Sequence, residues 1–507
     1  MHESASQPER AALRLSDIVR RASWDAEIEP LNEADLAALE VSTAAVNKKL
    51  AADEPIYGLT RGFGPFVDYQ AESELEQGNS LISHLGTAQG RLLSPEMCRL
   101  VLWLRLNSIR KGRSAVSPDF WRILADLWNR GFTPAIPRDG TVSASGDLQP
   151  LAHAALAHTG YGETWVRDAA GGWRTQPATK TLADLGVEPI TWPVREALAF
   201  VNGTGVGLAV GITNHQSALR LVRAGAMLTG RVAHLLEANP EHFHAGHAIA
   251  RRQYGQHITA EWIRREMRPD ATRGGDRPLQ EPYSLRCGPQ VLGAVLDQLR
   301  FAGDLLEREA DGCTDNPIVH EGDVLHGGNF HAMPVGFANE QIGLALHMAA
   351  YLAERQIGLV LSPTTNGGLP PMLTPRAGRG CGVAGVQISS TSFVARIRQL
   401  VYPASLTTLP TNGWNQDHVP MALNSANGVS DALELGWLTI GSLGLTVAQL
   451  GATLGHEPGD EGPWAELARI SPPVDEDRPM AAEVRAATAL LDRTAGELLN
   501  GEGWVGM

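Results

Sequence analysis

The sequence predicts a mainly α-helical protein, with a long central helical bundle, a smaller N-terminal active-site region and minor β-hairpins. Apolar residues recur at helical spacing along most of the chain, strand-like alternation is scarce, and glycine-rich turns separate the helical segments. The chain has 507 residues, 43% of them hydrophobic and 19% charged, as is typical of a globular protein with a large core. We expect two regions, 1–190 and 191–507.

The predicted helices carry recognisable start and stop signals. The segment 95–112 ends at a glycine with basic residues in its last turn, and 118–131 has proline near its start and glycine at its end. The same periodicity predicts helices over 33–52, 147–158, 207–237, 288–311 and 337–356. Hairpins are predicted at 164–175, around Ala-Gly-Gly, and at 317–328.

Net charge and the pattern of cysteines indicate which partners and which cellular compartment suit the chain. The formal charge of -14 leaves no excess of Lys and Arg to neutralise phosphates, which argues against nucleic acid as a partner. The four cysteines form no CxxC pair, and the N-terminus has no apolar stretch after its first charges. We expect a cytoplasmic protein without a disulfide framework or a zinc site.

One segment has the length of a membrane span. Residues 435–455 carry no charge, but Thr, Ser, Gln and five Gly are spread through them. This composition favours a helix buried on most sides, in a subunit interface for example, over a membrane span.

Three common kinds of site fit the chain poorly. His242, His244 and His247 offer imidazoles, but no HExxH helix or suitably spaced acidic ligand accompanies them, so we expect no metal. Ser145 lacks the GxSxG elbow of a serine hydrolase. A nucleotide site fits still less well, because the chain has no GxxxxGK[ST] motif and no well-placed GxGxxG.

The segment TVSASGDLQPLAH at 141–153 favours another chemistry. Ser, Gly and Asp in a row ordinarily form a turn. If instead the Gly146 nitrogen attacks the Ala144 carbonyl, a five-membered ring closes, and loss of water, including the Ser145 hydroxyl, leaves an exocyclic methylene. Gly146 suits this closure because it has no Cβ and tolerates a compressed backbone. The product is an electrophile, and the helix predicted from residue 147 would place its positive end nearby.

TVSASGDLQPLAH resembles the signature of the aromatic amino acid lyase family, which comprises histidine, phenylalanine and tyrosine ammonia-lyases and 2,3-aminomutases. The resemblance covers nearly the whole chain, through YGLTRGFG, REALAFVNGT, QEPYSLRCGPQVLG, CTDNPIV, HGGNFH and NGWNQDHV. The stretches SLISHLGT and QEPYSLRC are most similar to actinobacterial tyrosine ammonia-lyases. The resemblance implies the cofactor 4-methylidene-imidazol-5-one (MIO), made from Ala144, Ser145 and Gly146, and a homotetramer with active sites shared between chains.

The resemblance also implies roles for individual residues. Tyr57 would remove the β-proton of the substrate, although a free tyrosine titrates at about pH 10 and needs a lowered pKa to act near neutrality. Arg286 would bind the substrate carboxylate through its two parallel donors. The other substrate-binding residues implied are Gly64, His84, Leu85, Leu148, Asn202, Gln280, Tyr283, Phe330, Asn412, Asn415 and Gln416.

The choice of substrate depends on a two-residue motif. His84-Leu85 matches the tyrosine-lyase pair, although Ser83-His84 also matches the histidine-lyase pair in the neighbouring register. Histidine lyases have Gln-Glu before the aspartate of the C-terminal motif, whereas this chain has Asn415-Gln416 there. The resemblance therefore implies conversion of L-tyrosine to trans-4-coumarate and ammonia. A tyrosine 2,3-aminomutase, a histidine or phenylalanine lyase and an inactive scaffold homologue are the alternatives.

Overall fold

The computed structural model describes residues 13–71 and 74–502. The N-terminal segment, whose composition predicts no signal peptide, lies almost wholly outside them. Every helix predicted above is confirmed, with its ends shifted by a few residues, except that the helix containing 435–455 begins earlier, at Ala422. The helices are α1 Leu15–Arg21, α2 Glu33–Ala51, α3 Glu74–His84, α4 Pro95–Arg110, α5 Pro118–Asn129, α6 Leu148–His158, α7 Ala178–Leu185, α8 Val194–Val201, α9 Gly205–Leu235, α10 Ala245–Arg251, α11 Tyr254–Arg265, α12 Tyr283–Arg286, α13 Gly288–Asp311, α14 Met333–Leu361, α15 Ala384–Leu400, α16 Ala422–Thr453, α17 Pro463–Ile470 and α18 Ala481–Gly501.

Local signals account for the ends of several helices. Ser94 caps α4 by accepting a hydrogen bond from the Met97 backbone nitrogen at 3.2 Å, and Pro95 occupies the first helical position. Ser117 caps α5 in the same way. A serine cap satisfies one of the free N–H groups of the first turn, and proline there sacrifices no intrahelical bond. These helices therefore begin where the sequence alone places them.

The β-structure of the described residues consists of two-stranded antiparallel sheets. Both predicted hairpins are confirmed: β3 Glu163–Arg167 pairs with β4 Trp173–Pro177, and β5 Ile318–His320 pairs with β6 Asp323–Leu325. A further sheet joins β1 Gln89–Leu92 to β2 Pro137–Asp139. Because two helices separate β1 from β2, no hairpin signal in the sequence could reveal this pair.

Four long helices form the central bundle. α9, α13, α14 and α16 pack against one another, and α11, α15 and α18 pack around them. The small residues of α9 and α16 let neighbouring helices approach closely; a Cβ on Gly436, for example, would lie 2.7 Å from the Leu346 side chain. The main hydrophobic core extends from Leu15 to Leu499 and includes residues of both predicted regions. The boundary at 190 remains a prediction.

The uncharged segment 435–455 confirms the predicted buried helix. Two stretches, Val194–Leu235 and Ala422–Thr453, are long and apolar enough to span a membrane, but 89% and 78% of their most apolar windows are buried inside the fold. Core helices have this property. The cover over α16 comes from α9, α14, α15 and α18 of the same chain. Its lack of charge is therefore explained within one chain and does not by itself indicate a subunit interface.

Candidate active site

One cavity of about 770 Å³ brings together most of the predicted site residues. It lies where α3, α6 and α8 pack together, beside the N-terminal ends of α9, α14 and α16. The predicted residues that line it are Tyr57, Gly64, His84, Leu85, Ala144, Ser145, Gly146, Leu148, Asn202, Phe330, Asn412, Asn415 and Gln416. Segments more than 300 residues apart in sequence therefore meet at a single site.

Tyr57 lies half-buried on the loop that follows α2. Its phenolic oxygen accepts a hydrogen bond from the Gly64 backbone nitrogen at 2.8 Å, and its own backbone nitrogen donates to His326 Nε2 at 3.2 Å. Burial raises the pKa of Tyr57, and the Gly64 N–H offsets this only in part, because it stabilises the phenolate. Within this chain, the lowered pKa expected of the base is not observed.

The Ala144-Ser145-Gly146 turn is held tightly on the cavity wall. Gly146 has a φ of 71°, and a Cβ at this position would overlap the backbone of Gly203. The Asn202 side chain donates to the Ser145 carbonyl oxygen at 2.8 Å, and the Gln416 side chain donates to the Ser145 hydroxyl at 3.0 Å. Only glycine tolerates both that φ and that proximity. The turn therefore suits backbone ring closure, and MIO fits the residues around it.

Four helices begin around this turn. α6 starts directly after it. At the start of α16, the Met421 nitrogen donates to the Val142 carbonyl at 3.0 Å and the Leu423 nitrogen donates to the Ser143 hydroxyl at 3.1 Å. Before α14, the Ala332 nitrogen donates to the Ser143 carbonyl at 3.3 Å. Because helix N-termini carry partial positive charge, they stabilise negative charge that develops on the turn.

The fourth helix is α9, and Asp147 joins its start to the Ala-Ser-Gly turn. No role for Asp147 was predicted from the sequence. Its carboxylate accepts hydrogen bonds from the Val206 and Gly207 nitrogens at the start of α9, at 3.0 and 2.7 Å, and from the Ser143 hydroxyl at 2.8 Å. Asp147 is fully buried, and burial is the main cause of its raised pKa. An Asp directly before a predicted helix indicates a cap, but the helix it caps is α9 rather than α6.

The end of α3 forms another part of the wall. His84 and Leu85 both line the cavity, whereas Ser83 does not. His84 Nδ1 lies 3.0 Å from the Ser80 carbonyl oxygen, one turn earlier on the helix. Leu85 is buried, and Leu148, at the start of α6, adds a further apolar side chain.

Two loops meet above the cavity. The loop after α15 forms a tight turn in which the Thr411 nitrogen donates to the Gln416 carbonyl at 2.9 Å, and Asn412 has a φ of 53°. The Asn412 amide lies against Gly64, where an added Cβ would lie 2.6 Å from its nitrogen. Gly64 therefore lets the Tyr57 loop and the C-terminal loop approach each other.

Three predicted residues lie apart from this cavity. Gln280, Tyr283 and Arg286 line a separate cavity of about 350 Å³ at the surface. The Arg286 guanidinium lies over the Tyr283 ring at 4.6 Å, and Tyr283 is 71% exposed. Among the described residues, no Lys, Arg, Asp or Glu side chain lines the larger cavity. The described lining of the larger cavity therefore contains no guanidinium or ammonium group that could pair with a carboxylate.

Several polar residues of the cavity wall were not predicted from the sequence. Helical spacing places Gln77 and Ser80 on the face of α3 that carries His84, and this periodicity was the available signal. Thr141, Gln149 and Thr411 had no comparable signal, because each is brought to the cavity by the path of a loop or by packing of α6. The unpredicted polar residues of the lining are Gln77, Ser80, Thr141, Gln149 and Thr411.

Comparison with known proteins agrees with this geometry. The protein-family model described as aromatic amino acid lyase matches residues 13–466. The fold is similar to the solved structure of a tyrosine aminomutase from Streptomyces globisporus, with a TM-score of 0.88, 31% identity and 97% of each chain covered. It is also similar to a histidine ammonia-lyase from Trypanosoma cruzi, with a TM-score of 0.83, 26% identity and coverage of 98% of this chain and 94% of the other. For a phenylalanine aminomutase from Pantoea agglomerans the TM-score is 0.86, with 25% identity over 94% of this chain and 97% of the other. The chain therefore belongs to the aromatic amino acid lyase family and is a carbon–nitrogen lyase.

Proposed function

We propose that this protein is a tyrosine ammonia-lyase, which eliminates ammonia from L-tyrosine to give trans-4-coumarate. The observation that supports this most strongly is that a single cavity joins a candidate base, Tyr57, the Ala-Ser-Gly turn and His84, the candidate partner of a phenol. The acidic composition and the pattern of cysteines fit a cytoplasmic enzyme that acts on a small molecule.

The cofactor in this proposal is 4-methylidene-imidazol-5-one, formed from Ala144, Ser145 and Gly146. When formed, it supplies an electrophile that makes the substrate amino group a better leaving group. Asn202 and Gln416 hold the Ser145 carbonyl and hydroxyl by hydrogen bonds. The converging helix N-termini favour negative charge at this turn and cost no reorganisation when that charge appears, because the fold fixes them in place.

Tyr57 is the group proposed to take the β-proton. Its hydrogen bond from the Gly64 nitrogen orients the phenolic oxygen within the cavity. Because burial raises the pKa of Tyr57 in the single chain, the proposal requires positive charge from outside this chain's cavity. Arg286 of a second copy of the chain, placed to bind the substrate carboxylate, is our candidate for that charge.

The proposal includes a homotetramer with shared active sites. Gln280, Tyr283 and Arg286 lie away from the cavity that needs them, which supports a site completed by other copies. Apolar side chains on the outer faces of the bundle are exposed in one chain, and such faces are typical of subunit interfaces. These side chains are Phe301, Phe337, Leu344, Met348 and Ile388.

Tyrosine is favoured as the substrate because His84 and Leu85 line the cavity and Ser83 does not. An imidazole is a hydrogen-bonding partner for a phenol, whereas an imidazole substrate would need a carboxylate that the described lining lacks. A tyrosine 2,3-aminomutase is the second candidate, since the Streptomyces globisporus relative carries that name. It would return ammonia to the β-carbon and give β-tyrosine, and the difference depends on how long the products stay in the site.

Two measurements test the proposal. Intact-mass analysis of the purified protein should show the loss of two waters from the chain, and an undehydrated chain would indicate a scaffold protein. Chromatography of a reaction with L-tyrosine should show trans-4-coumarate as the main product. Predominant β-tyrosine would replace the lyase assignment with the aminomutase.

His84→Phe tests the choice of substrate. Removing the imidazole leaves a phenol unpaired at a loss of about 1–3 kcal/mol, while a phenylalanine ring gains an apolar neighbour. The ratio of kcat/KM for tyrosine over phenylalanine should fall by roughly fivefold to more than a hundredfold. The variant should still lose two waters, because His84 takes no part in ring closure. An unchanged preference for tyrosine would contradict the assignment of His84.

A further inference from the structure

The hydrogen bond of His84 determines which of its two ring nitrogens carries the proton. Nδ1 lies 3.0 Å from the Ser80 carbonyl oxygen. A carbonyl oxygen only accepts, so Nδ1 must be the nitrogen that carries hydrogen. In the neutral ring, Nε2 then has a lone pair and no proton, and it is an acceptor. This contact is within one helix and uses backbone, so it does not depend on the substrate.

Gln77 lies two turns earlier on the same face of α3. Like His84, it uses a donor group for a bond within the chain and leaves an acceptor without a partner. Its side-chain nitrogen donates to the Arg61 carbonyl at 3.4 Å, which leaves the amide oxygen as the free end. That oxygen is buried and has no hydrogen-bond partner among the described residues. Both Gln77 and His84 line the active-site cavity. The Gln77 oxygen has almost no accessible surface, so the acceptor that this face of α3 offers to a ligand is His84 Nε2.

We infer that the site selects aromatic amino acids whose para substituent donates a hydrogen bond. The phenol of tyrosine donates its proton to His84 Nε2 and does not accept one from it. The substrate class therefore includes 4-aminophenylalanine, whose amino group is a donor, and excludes ethers, whose oxygen only accepts. This inference rests on the proposed function, because it concerns the same cavity and reaction, and it adds the direction of the hydrogen bond.

Pairs of substrates matched in size separate donation from shape. 4-Aminophenylalanine and 4-methylphenylalanine are similar in volume, but only the first donates. 4-Methoxyphenylalanine and 4-ethylphenylalanine are similar in length, and the first adds an acceptor alone. Wild-type kcat/KM should favour amino over methyl by roughly tenfold to a hundredfold, and should not favour methoxy over ethyl.

His84→Phe is the matched control for ring electronics. The para substituents change the acidity of the β-proton in both enzymes, so dividing the wild-type ratio by the variant ratio removes that effect. After this division, the preference for 4-aminophenylalanine over 4-methylphenylalanine should remain. The His84→Phe variant has no acceptor at this position, so its own ratio contains no contribution from the hydrogen bond. The amide of His84→Gln both donates and accepts, so this variant should favour 4-methoxyphenylalanine over 4-ethylphenylalanine in kcat/KM.

The outcomes distinguish this inference from the proposed function. A chain that keeps both waters and releases no ammonia from tyrosine overturns the proposed function, and the inference with it. An active wild-type enzyme that favours methoxy over ethyl after the same division by the His84→Phe ratio would show that His84 donates, and this overturns the inference alone. Loss of the corrected preference for amino over methyl would do the same.

Discussion

At the residue scale, Gly146 shows how strictly the turn is constrained. It combines a left-handed φ of 71° with direct contact to the Gly203 backbone. Neither constraint alone would require glycine so strongly, because a strained residue can have open space and a crowded residue can have an ordinary φ. Together they restrict position 146 to glycine, the residue whose nitrogen the proposed ring closure uses.

Gly146→Ala should therefore prevent formation of the cofactor. A Cβ would force the turn away from Gly203 and add the cost of a non-glycine residue at positive φ, about 1–2 kcal/mol. We expect intact mass to show a chain that keeps both waters. Gly162→Ala is the matched control, because Gly162 has a φ of 84° but no atom near its Cβ position. Gly162→Ala should show only the cost of the backbone conformation and should lose two waters as the wild type does. Full dehydration of Gly146→Ala would contradict the role of Gly146.

At the element scale, α6 connects the active site to the core of the N-terminal region. It begins at the turn, and it ends at His158, which is 2% exposed and packs against the rings of Phe132, Trp192 and Phe200. Its Nδ1 lies 2.8 Å from the Ala154 carbonyl oxygen. Burial lowers the pKa of His158 to about 4, so the folded protein holds this ring neutral.

His158 should make the protein less stable in mild acid. The unfolded chain binds a proton at this histidine below its ordinary pKa of about 6.5, whereas the folded chain does not until about pH 4. The stabilisation is thus complete above pH 6.5 and is lost as the pH falls towards 4, by up to roughly 3 kcal/mol. Urea unfolding between pH 7 and 4.5 should show a smaller loss of stability for His158→Phe than for the wild type. Equal losses in the two proteins would contradict this account.

At the scale of the whole molecule, a single chain distributes the predicted site residues between two separate cavities. The cavity gathers Tyr57 and the Ala-Ser-Gly turn, while Arg286 lies in a different cavity on the surface. The Arg286 Nε atom is buried and has no hydrogen-bond partner among the described residues. A guanidinium pairs with a carboxylate more strongly than with an aromatic ring, and we propose that Arg286 binds the substrate carboxylate in the site of a neighbouring chain.

Complementation between two inactive variants tests this arrangement. Tyr57→Phe and Arg286→Ala should each abolish activity when expressed alone. If the two residues of one site come from different chains, mixed tetramers from co-expression should recover about a quarter of the sites. Light scattering should give a tetramer for every variant. Mixed tetramers without activity would indicate that both residues serve a site within one chain, and an active monomer would contradict the shared-site proposal.

The sequence by itself determined the four bundle helices, several shorter helices, two hairpins and half of the cavity lining. Helix starts at Pro95 and Pro118 follow from local capping chemistry, and hairpins follow from short turns, so neighbouring residues suffice to predict them. The candidate site residues were predicted because their motifs resemble those of a known family. That recognition needed residue types and order along the chain, and it did not need their positions in space.

Only the tertiary structure decided which groups meet. Asp147 caps α9 and not the helix that follows it, because chain folding brings the start of α9 to its carboxylate. α16 is covered within its own chain, and the raised pKa of Tyr57 follows from burial that no local pattern reveals. The placement of Arg286 in a different cavity likewise follows from how distant segments fold together and not from a local pattern. Hydrogen-bond partners, burial and electrostatic environment depend on contacts between distant segments, and those contacts are properties of the folded chain.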